Sequence, residues 1–291
     1  MPWSKSINPY AGCEHGCSYC YARPTHGYHQ LSPGLDFETR LFAKMNVAEI
    51  LETQLGAASY QPTTIVLGTN TDVYQPIERK YRLTRSLLEV CLEFGQPISI
   101  LTKNSLIERD IDLLRELALL NLIEVHFTLT TLSTSLSQIL EPRASLPNSR
   151  LKSIKTLTEA GIPVKVMCAP LIPKLNMMEL KALMIAAKNV GATDFGYILL
   201  RLPFEVEGIF NDWLSTHFPN KHQEVLEALL RYRSNNNYTH RMEGSGYLAQ
   251  TLKERFQHHY QALGYKTTSP DELNITSFKH RHYRGQLMLF K

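Results

Sequence analysis

The 291-residue chain has no run of 18 consecutive apolar residues, so an ordinary membrane-spanning helix is not expected. Its first 12 residues hold no apolar stretch of the kind that forms the core of a secretory signal. Cysteine is scarce and odd in number, five in all, which argues against a disulfide framework and for a reducing, cytoplasmic setting. An excess of one charge is also missing: 31 basic against 27 acidic side chains leave a net charge of +4. That balance tolerates an acidic partner but does not by itself mark a nucleic-acid binder. No repeat or low-complexity segment stands out. What remains is an ordinary globular composition, 43% hydrophobic and 20% charged, in a chain long enough to bury a large core.

The few cysteines are unevenly spread. Cys13, Cys17 and Cys20 form C-x3-C-x2-C inside "AGCEHGCSYCYAR" (11–23). Thiolates select soft or borderline metals, which leaves zinc and iron–sulfur clusters as candidates. Structural zinc takes four ligands. His15 lies inside the triplet, but its nearness to Cys13 would force a very small chelate ring, and no second Cys-x2-Cys pair exists. A 4Fe–4S cluster ordinarily takes four thiolates, so three leave one iron open for a substrate or cofactor. Cys91 and Cys168 sit in apolar runs and read as small core residues.

Downstream, β-rich runs beginning near 63, 98, 123, 164 and 194 alternate with helical patterns over 82–94, 106–120, 150–161 and 178–191. Spacings of about 25 to 40 residues suit βα units, which build a doubly wound sheet or a complete or partial barrel. Either architecture gathers ligands at the C-terminal ends of its strands. Those ends are "GTNTD" (68–72), "TKN" (102–104) and "TLTT" (128–131). Gly, Asn, Thr and Asp there also serve ordinary turns. Lys103, directly after the apolar "ISIL", puts a cation at the mouth. Beyond residue 200, "NDWLSTHFPNKHQ" and "YRSNNNYTHRMEGSGY" read as loops, followed by a helix over 248–263. Residues 1–200 are thus expected to form the core, and 201–291 a mainly helical or irregular extension.

The cysteine spacing, with Tyr19 before the third cysteine, resembles the signature of radical S-adenosylmethionine (SAM) enzymes. The resemblance implies a partial (β/α)6 TIM-like barrel of the α/β class. It implies a 4Fe–4S cluster held by Cys13, Cys17 and Cys20, with SAM chelated to the open iron. It further implies reductive cleavage of SAM to a 5′-deoxyadenosyl radical that takes hydrogen from a substrate, and a flavodoxin or ferredoxin as low-potential electron donor. "NPYAGCEHGCSYCYARP", "GTNTDVYQP", "LTKNSLIERDIDLL" and "LEPR" resemble, more closely, the spore photoproduct lyase branch, also described as DNA-repair-photolyase-like. Carried over by position, Thr71, Lys103 and Thr128 contact the amino-acid end of SAM, Tyr19 packs near its adenine, and Arg143 is a further candidate. Tyr21 is a candidate hydrogen-atom relay.

One departure limits the analogy. Where that branch places a hydrogen-donating cysteine in the strand-exit loop, this chain has Thr69, whose O–H bond is too strong for the task. Cys168, at the end of the fifth strand run, is a candidate substitute for the missing thiol, though a small core residue is its expected role. Reversal of thymine photoproducts is therefore not carried over. The readings that follow are a radical SAM enzyme on a nucleic acid or nucleobase, the same machinery on a peptide or small metabolite, and a zinc or Fe–S binding module without turnover.

At the C-terminus, Gln286, Leu287, Leu289 and Phe290 match the Gln-Leu-x-Leu-Phe pattern of sliding-clamp ligands, in which aliphatics and an aromatic fill a pocket. Packing on this protein's own core is the alternative. The basic "KHRHYR" (279–284) upstream suits phosphate contact or a solvated surface. The seven histidines beyond residue 200 lack metal-site spacing.

Overall fold

The computed structural model describes residues 5–232, 242, 244–265 and 273–279. The tail motif Gln286, Leu287, Leu289 and Phe290, and all of "KHRHYR" except Lys279, lie outside them.

Six strands form one parallel sheet: β1 (Lys5–Ile7), β4 (Ile65–Leu67), β5 (Ile98–Thr102), β6 (Ile123–Thr128), β7 (Val164–Leu171) and β8 (Asp194–Leu199). Each pairs with the next in that order, from Lys5 beside Ile65 to Leu171 beside Leu199. Among the described residues no ladder joins β8 to β1, so the sheet curls into a partial, open barrel. β2 (Tyr10–Ala11) and β3 (Phe42–Ala43) form a small antiparallel pair beside it. The apolar runs found the last five sheet strands; β1 escaped because "KSI" carries only one apolar residue.

Two-residue alternation sorts the side chains. On β6, Ile123, Val125 and Phe127 are buried outward among the helices, while His126 and Thr128 line an interior cavity. On β7, Val164, Val166 and Cys168 join the core, while Met167 and Ala169 line the cavity. The outer layer comprises α4 (Leu83–Phe94), α5 (Ile111–Leu119), α7 (Pro147–Glu159) and α8 (Leu180–Asn189). Their stripes, such as Leu83, Leu87, Leu88 and Cys91 on α4, bury against the sheet. Cys91 is a core residue, as the sequence implied.

The loop reading of 211–223 is corrected. Residues Val206–His217 form α9 and His222–Arg231 form α10. Val206, Phe210 and Leu214 recur every four residues and are buried, a helical stripe that a window opening at Asn211 truncates. Both helices contribute to a second apolar cluster with Cys17, Tyr19, Leu140, Ile172 and Leu200, beneath the cysteine loop. The last helix, α11 (Tyr247–Ala262), packs Leu252, Phe256 and Tyr260 into the main core.

Candidate cluster and SAM site

The C-terminal ends of the strands surround a cavity of about 550 Å³. Cys13, Cys17 and Cys20 all line it as free thiols, together with Tyr19, Tyr21, Thr69, Thr71, Lys103 and Thr128. Parallel topology brings together residues more than 100 positions apart.

The cysteine loop is shaped by its own backbone and by contacts from outside. Gly12 has φ +80, and its carbonyl accepts from Thr71 Oγ1 at 2.6 Å and Gln75 Nε2 at 3.1 Å. The Cys13 amide donates to Phe37 O at 2.8 Å, and Arg23 Nε donates to Cys17 O at 2.9 Å. A Cβ on Gly12 would stand 2.8 Å from both Leu41 Cδ2 and Phe37 O. Gly12→Ala is accordingly expected to destabilise the fold by about 1–3 kcal/mol and to lower iron uptake. Denaturant midpoint and iron content measure this; no change in either would show that the loop does not need its left-handed turn.

His15 also lines the cavity, its ring nitrogens turned to neighbouring wall groups. Asn104 Nδ2 donates to its Nε2 at 3.0 Å, and its Nδ1 lies 3.4 Å from Asp72 Oδ2 without hydrogen-bond alignment. Burial lowers its pKa to about 4, against the pull of Asp72, so the ring is neutral. Asp72 also accepts from Thr102 Oγ1 at 2.8 Å and from the Lys103 amide at 2.9 Å. Both ring nitrogens of His15 face these wall groups. Among the described residues no three His, Cys, Asp or Glu side chains converge as a grip for a single ion. The donor set is three thiols around one cavity, which fits a cluster with one open iron rather than four-coordinate zinc.

Behind the thiols lies a buried ionic network that the sequence did not announce. Glu141 is fully buried and accepts from Lys103 Nζ at 3.1 Å, Thr130 Oγ1 at 3.0 Å, and both Arg150 and the Tyr19 hydroxyl. Burial alone would raise its pKa; Arg150 and Lys103 outweigh burial and hold the carboxyl below the usual range. Lys103 Nζ also donates to the Tyr19 oxygen at 2.8 Å and lies 3.5 Å from Cys17 Sγ. Burial works against its charge, but Cys17 and Glu141 outweigh it and hold the ammonium above the usual lysine range. Burial pushes the Cys17 thiol up to about 11, with Lys103 opposing.

The other candidates divide. Tyr21 is 47% exposed at the rim, its hydroxyl donating to Thr69 O. Thr69 Oγ1 accepts from Asn8 Nδ2 at 3.1 Å. Arg143 does not line the cavity: it grips the outside of the cysteine loop through Glu14 O and, at 3.1 Å, Glu38 Oε2. The arginine turned inward from this region is Arg150. Cys168 also faces away, its Sγ 3.8 Å from Thr130 O, so it offers no thiol to the cavity. Glu141 sits in the quoted "LEPR" two residues before Arg143; Arg150, His126 and Arg201 carry no local motif.

Comparisons with known proteins bear on the family and the fold. Residues 7–186 match the family model of the radical SAM superfamily. An uncharacterized protein of Mycobacterium tuberculosis is 36% identical over 238 residues, 80% of this chain and 67% of that protein. One from Methanocaldococcus jannaschii is 28% identical over 78% of this chain and 82% of its own. Spore photoproduct lyase complexed with dinucleoside spore photoproduct shares the fold with a TM-score of 0.63 at 14% identity, over 88% of this chain and 72% of that one. Streptococcus suis SuiB bound to S-adenosylmethionine gives 0.52 at 16% identity, over 73% of this chain and 48% of that one. SuiB bound to precursor peptide SuiA gives 0.52 at 18% identity, over 86% and 50%. The chain belongs to the radical SAM superfamily.

Proposed function

We propose that this radical SAM enzyme holds its 4Fe–4S cluster through Cys13, Cys17 and Cys20 and acts on a nucleobase-containing substrate. The observation that carries the first part is the convergence of three free thiols and Lys103 on one cavity. Cluster and SAM together, once bound, supply a 5′-deoxyadenosyl radical at the cost of one electron.

The chain's own groups then have distinct tasks. Lys103 offers its charge to the carboxylate of SAM. Thr71 already donates its hydroxyl proton to Gly12 O and accepts from Gln75 Nε2 at 2.7 Å, so what it offers the SAM ammonium is its second lone pair. Thr128, lining the same cavity, presents a hydroxyl to the amino-acid end of SAM, and Tyr19 packs near its adenine. Tyr21, at the rim, is the residue placed to relay a hydrogen atom. A low-potential flavodoxin or ferredoxin is the matching electron donor. Residues 1–200 carry this machinery, and of the extension 201–291 the helices α9 and α10 pack beneath the cysteine loop.

The substrate class rests on the rim. The Arg201 guanidinium stands 5.5 Å over the Tyr21 ring, and Phe204, three residues on, is 83% exposed. A cation and an aromatic ring at a cavity mouth are what unpaired bases stack upon, and Phe204 is an exposed ring outside the cavity lining. The structural likeness to a lyase solved with a dinucleoside lesion favours the same class; SuiB, solved with a peptide, supplies the competing one. Reconstituted, reduced protein is expected to release more 5′-deoxyadenosine when single-stranded DNA is added. Arg201→Ala is expected to weaken that response about tenfold, on the scale of one lost stacking contact. Stimulation by peptides and not by oligonucleotides or nucleosides would overturn the nucleobase reading.

A further inference from the structure

Lys103 has three N–H bonds to give, and three acceptors surround it: the Tyr19 oxygen at 2.8 Å, Glu141 Oε1 at 3.1 Å and Cys17 Sγ at 3.5 Å. The first two are fixed by others. Glu141 is also held by Arg150 and Thr130, and the Tyr19 hydroxyl donates to Glu141. The sulfur, at a distance ordinary for N–H···S, accepts more weakly than a carboxylate or phenol oxygen. An incoming carboxylate that engages Lys103 therefore displaces Cys17 first.

That exchange has a redox consequence, given the reading that Cys17 binds an iron. N–H bonds to a cluster's sulfurs draw off electron density and raise its reduction potential. We propose that Lys103 is a positioning residue shared between Cys17 and SAM. Without SAM it donates to the Cys17 sulfur and raises the potential for uptake of one electron. When the carboxylate of SAM takes that N–H, the potential falls. The electron comes from the low-potential protein donor, or from dithionite in vitro, and no proton is moved. Lys103 thus makes the site easier to reduce while SAM is absent and more strongly reducing once SAM is seated.

The test is an EPR-monitored redox titration of the reconstituted full chain, with iron and sulfide counted, for wild type, Lys103→Met and Lys103→Arg. Without SAM, fully loaded Lys103→Met is expected to show a reduced-to-oxidised ratio at least about tenfold below wild type at equal potential, equivalent to 59 mV for one electron. Lys103→Arg, which keeps a donor, stays near wild type. Adding SAM moves the wild type downward. Equal midpoints for loaded wild type and Lys103→Met overturn the proposal. Should Lys103→Met not load, wild type labelled with 15N-lysine decides: pulsed EPR of its reduced form shows a lysine nitrogen coupling that SAM removes. No coupling without SAM, or an undiminished one with it, overturns the proposal. A wild type that takes up no cluster fails the cluster reading instead.

Discussion

Cys17→Ala is expected to fold, to lose its iron, and to form no 5′-deoxyadenosine above the level of iron-free protein. The fall in rate is roughly a thousandfold or more, the scale on which removing one member of a catalytic unit acts. Cys17 is buried in the apolar cluster with Tyr19, Leu140, Ile172 and Leu200, so alanine removes one sulfur from a packed site and costs about 1 kcal/mol. The loss of iron is of another order, because on the proposed reading the cluster depends on all three protein thiolates. His15 cannot take over while Asn104 and Asp72 hold its ring in the wall.

Cys91→Ala and Cys168→Ala are the controls: both thiols are buried in the core and neither lines the cavity, so both variants keep SAM cleavage. Iron and sulfide analysis, with chromatography of the nucleoside product after dithionite reduction, reads all three. Product from Cys17→Ala at the wild-type rate would refute the cluster assignment. Stoichiometric zinc and no product from wild type would restore the binding-module reading.

The cysteine triplet was readable because its chemistry is local: eight consecutive positions contain all three thiols. The strands were readable for a similar reason, since β4 to β8 are short apolar runs whose burial is written into composition. β1 was not, because half-exposed "KSI" owes its place to the neighbouring Ile65–Leu67 rather than to its own pattern. The direction of a side chain at a strand end depends on register. Cys168 and Met167 are adjacent, yet one joins the core and the other the cavity. Arg143 and Arg150 show the same limit on a loop and a helix. Each arginine is plausible beside a carboxylate, and only the fold decides that Arg150 meets Glu141 while Arg143 meets Glu38. Buried ionic groups are hardest to foresee, since nothing in a lone Glu announces that Lys103 after β5 and Arg150 on α7 will both close on it.

That network sets the largest stability effect. Glu141→Ala is expected to destabilise the iron-free protein by about 3–5 kcal/mol, because Arg150 and Lys103 would both remain buried with their shared carboxylate gone. The Tyr19 and Thr130 hydroxyls would lose their acceptor as well. Urea denaturation measures the change, and a loss under 1 kcal/mol would show that water or rearrangement replaces the carboxylate. Double substitution separates charge from packing. If the unpaired cation is the cause, adding Arg150→Met to the Glu141→Ala variant recovers part of the stability instead of subtracting more. Acid titration gives an independent reading. The folded protein holds the Glu141 carboxyl below the ordinary glutamate value of 4.5, so the stability it contributes is complete above that pH. As the pH falls below 4.5 the unfolded chain takes up the proton first, and stability declines until the folded carboxyl is protonated too. Wild type should therefore lose stability through this range more steeply than Glu141→Ala; parallel curves would mean that Glu141 carries no such linkage.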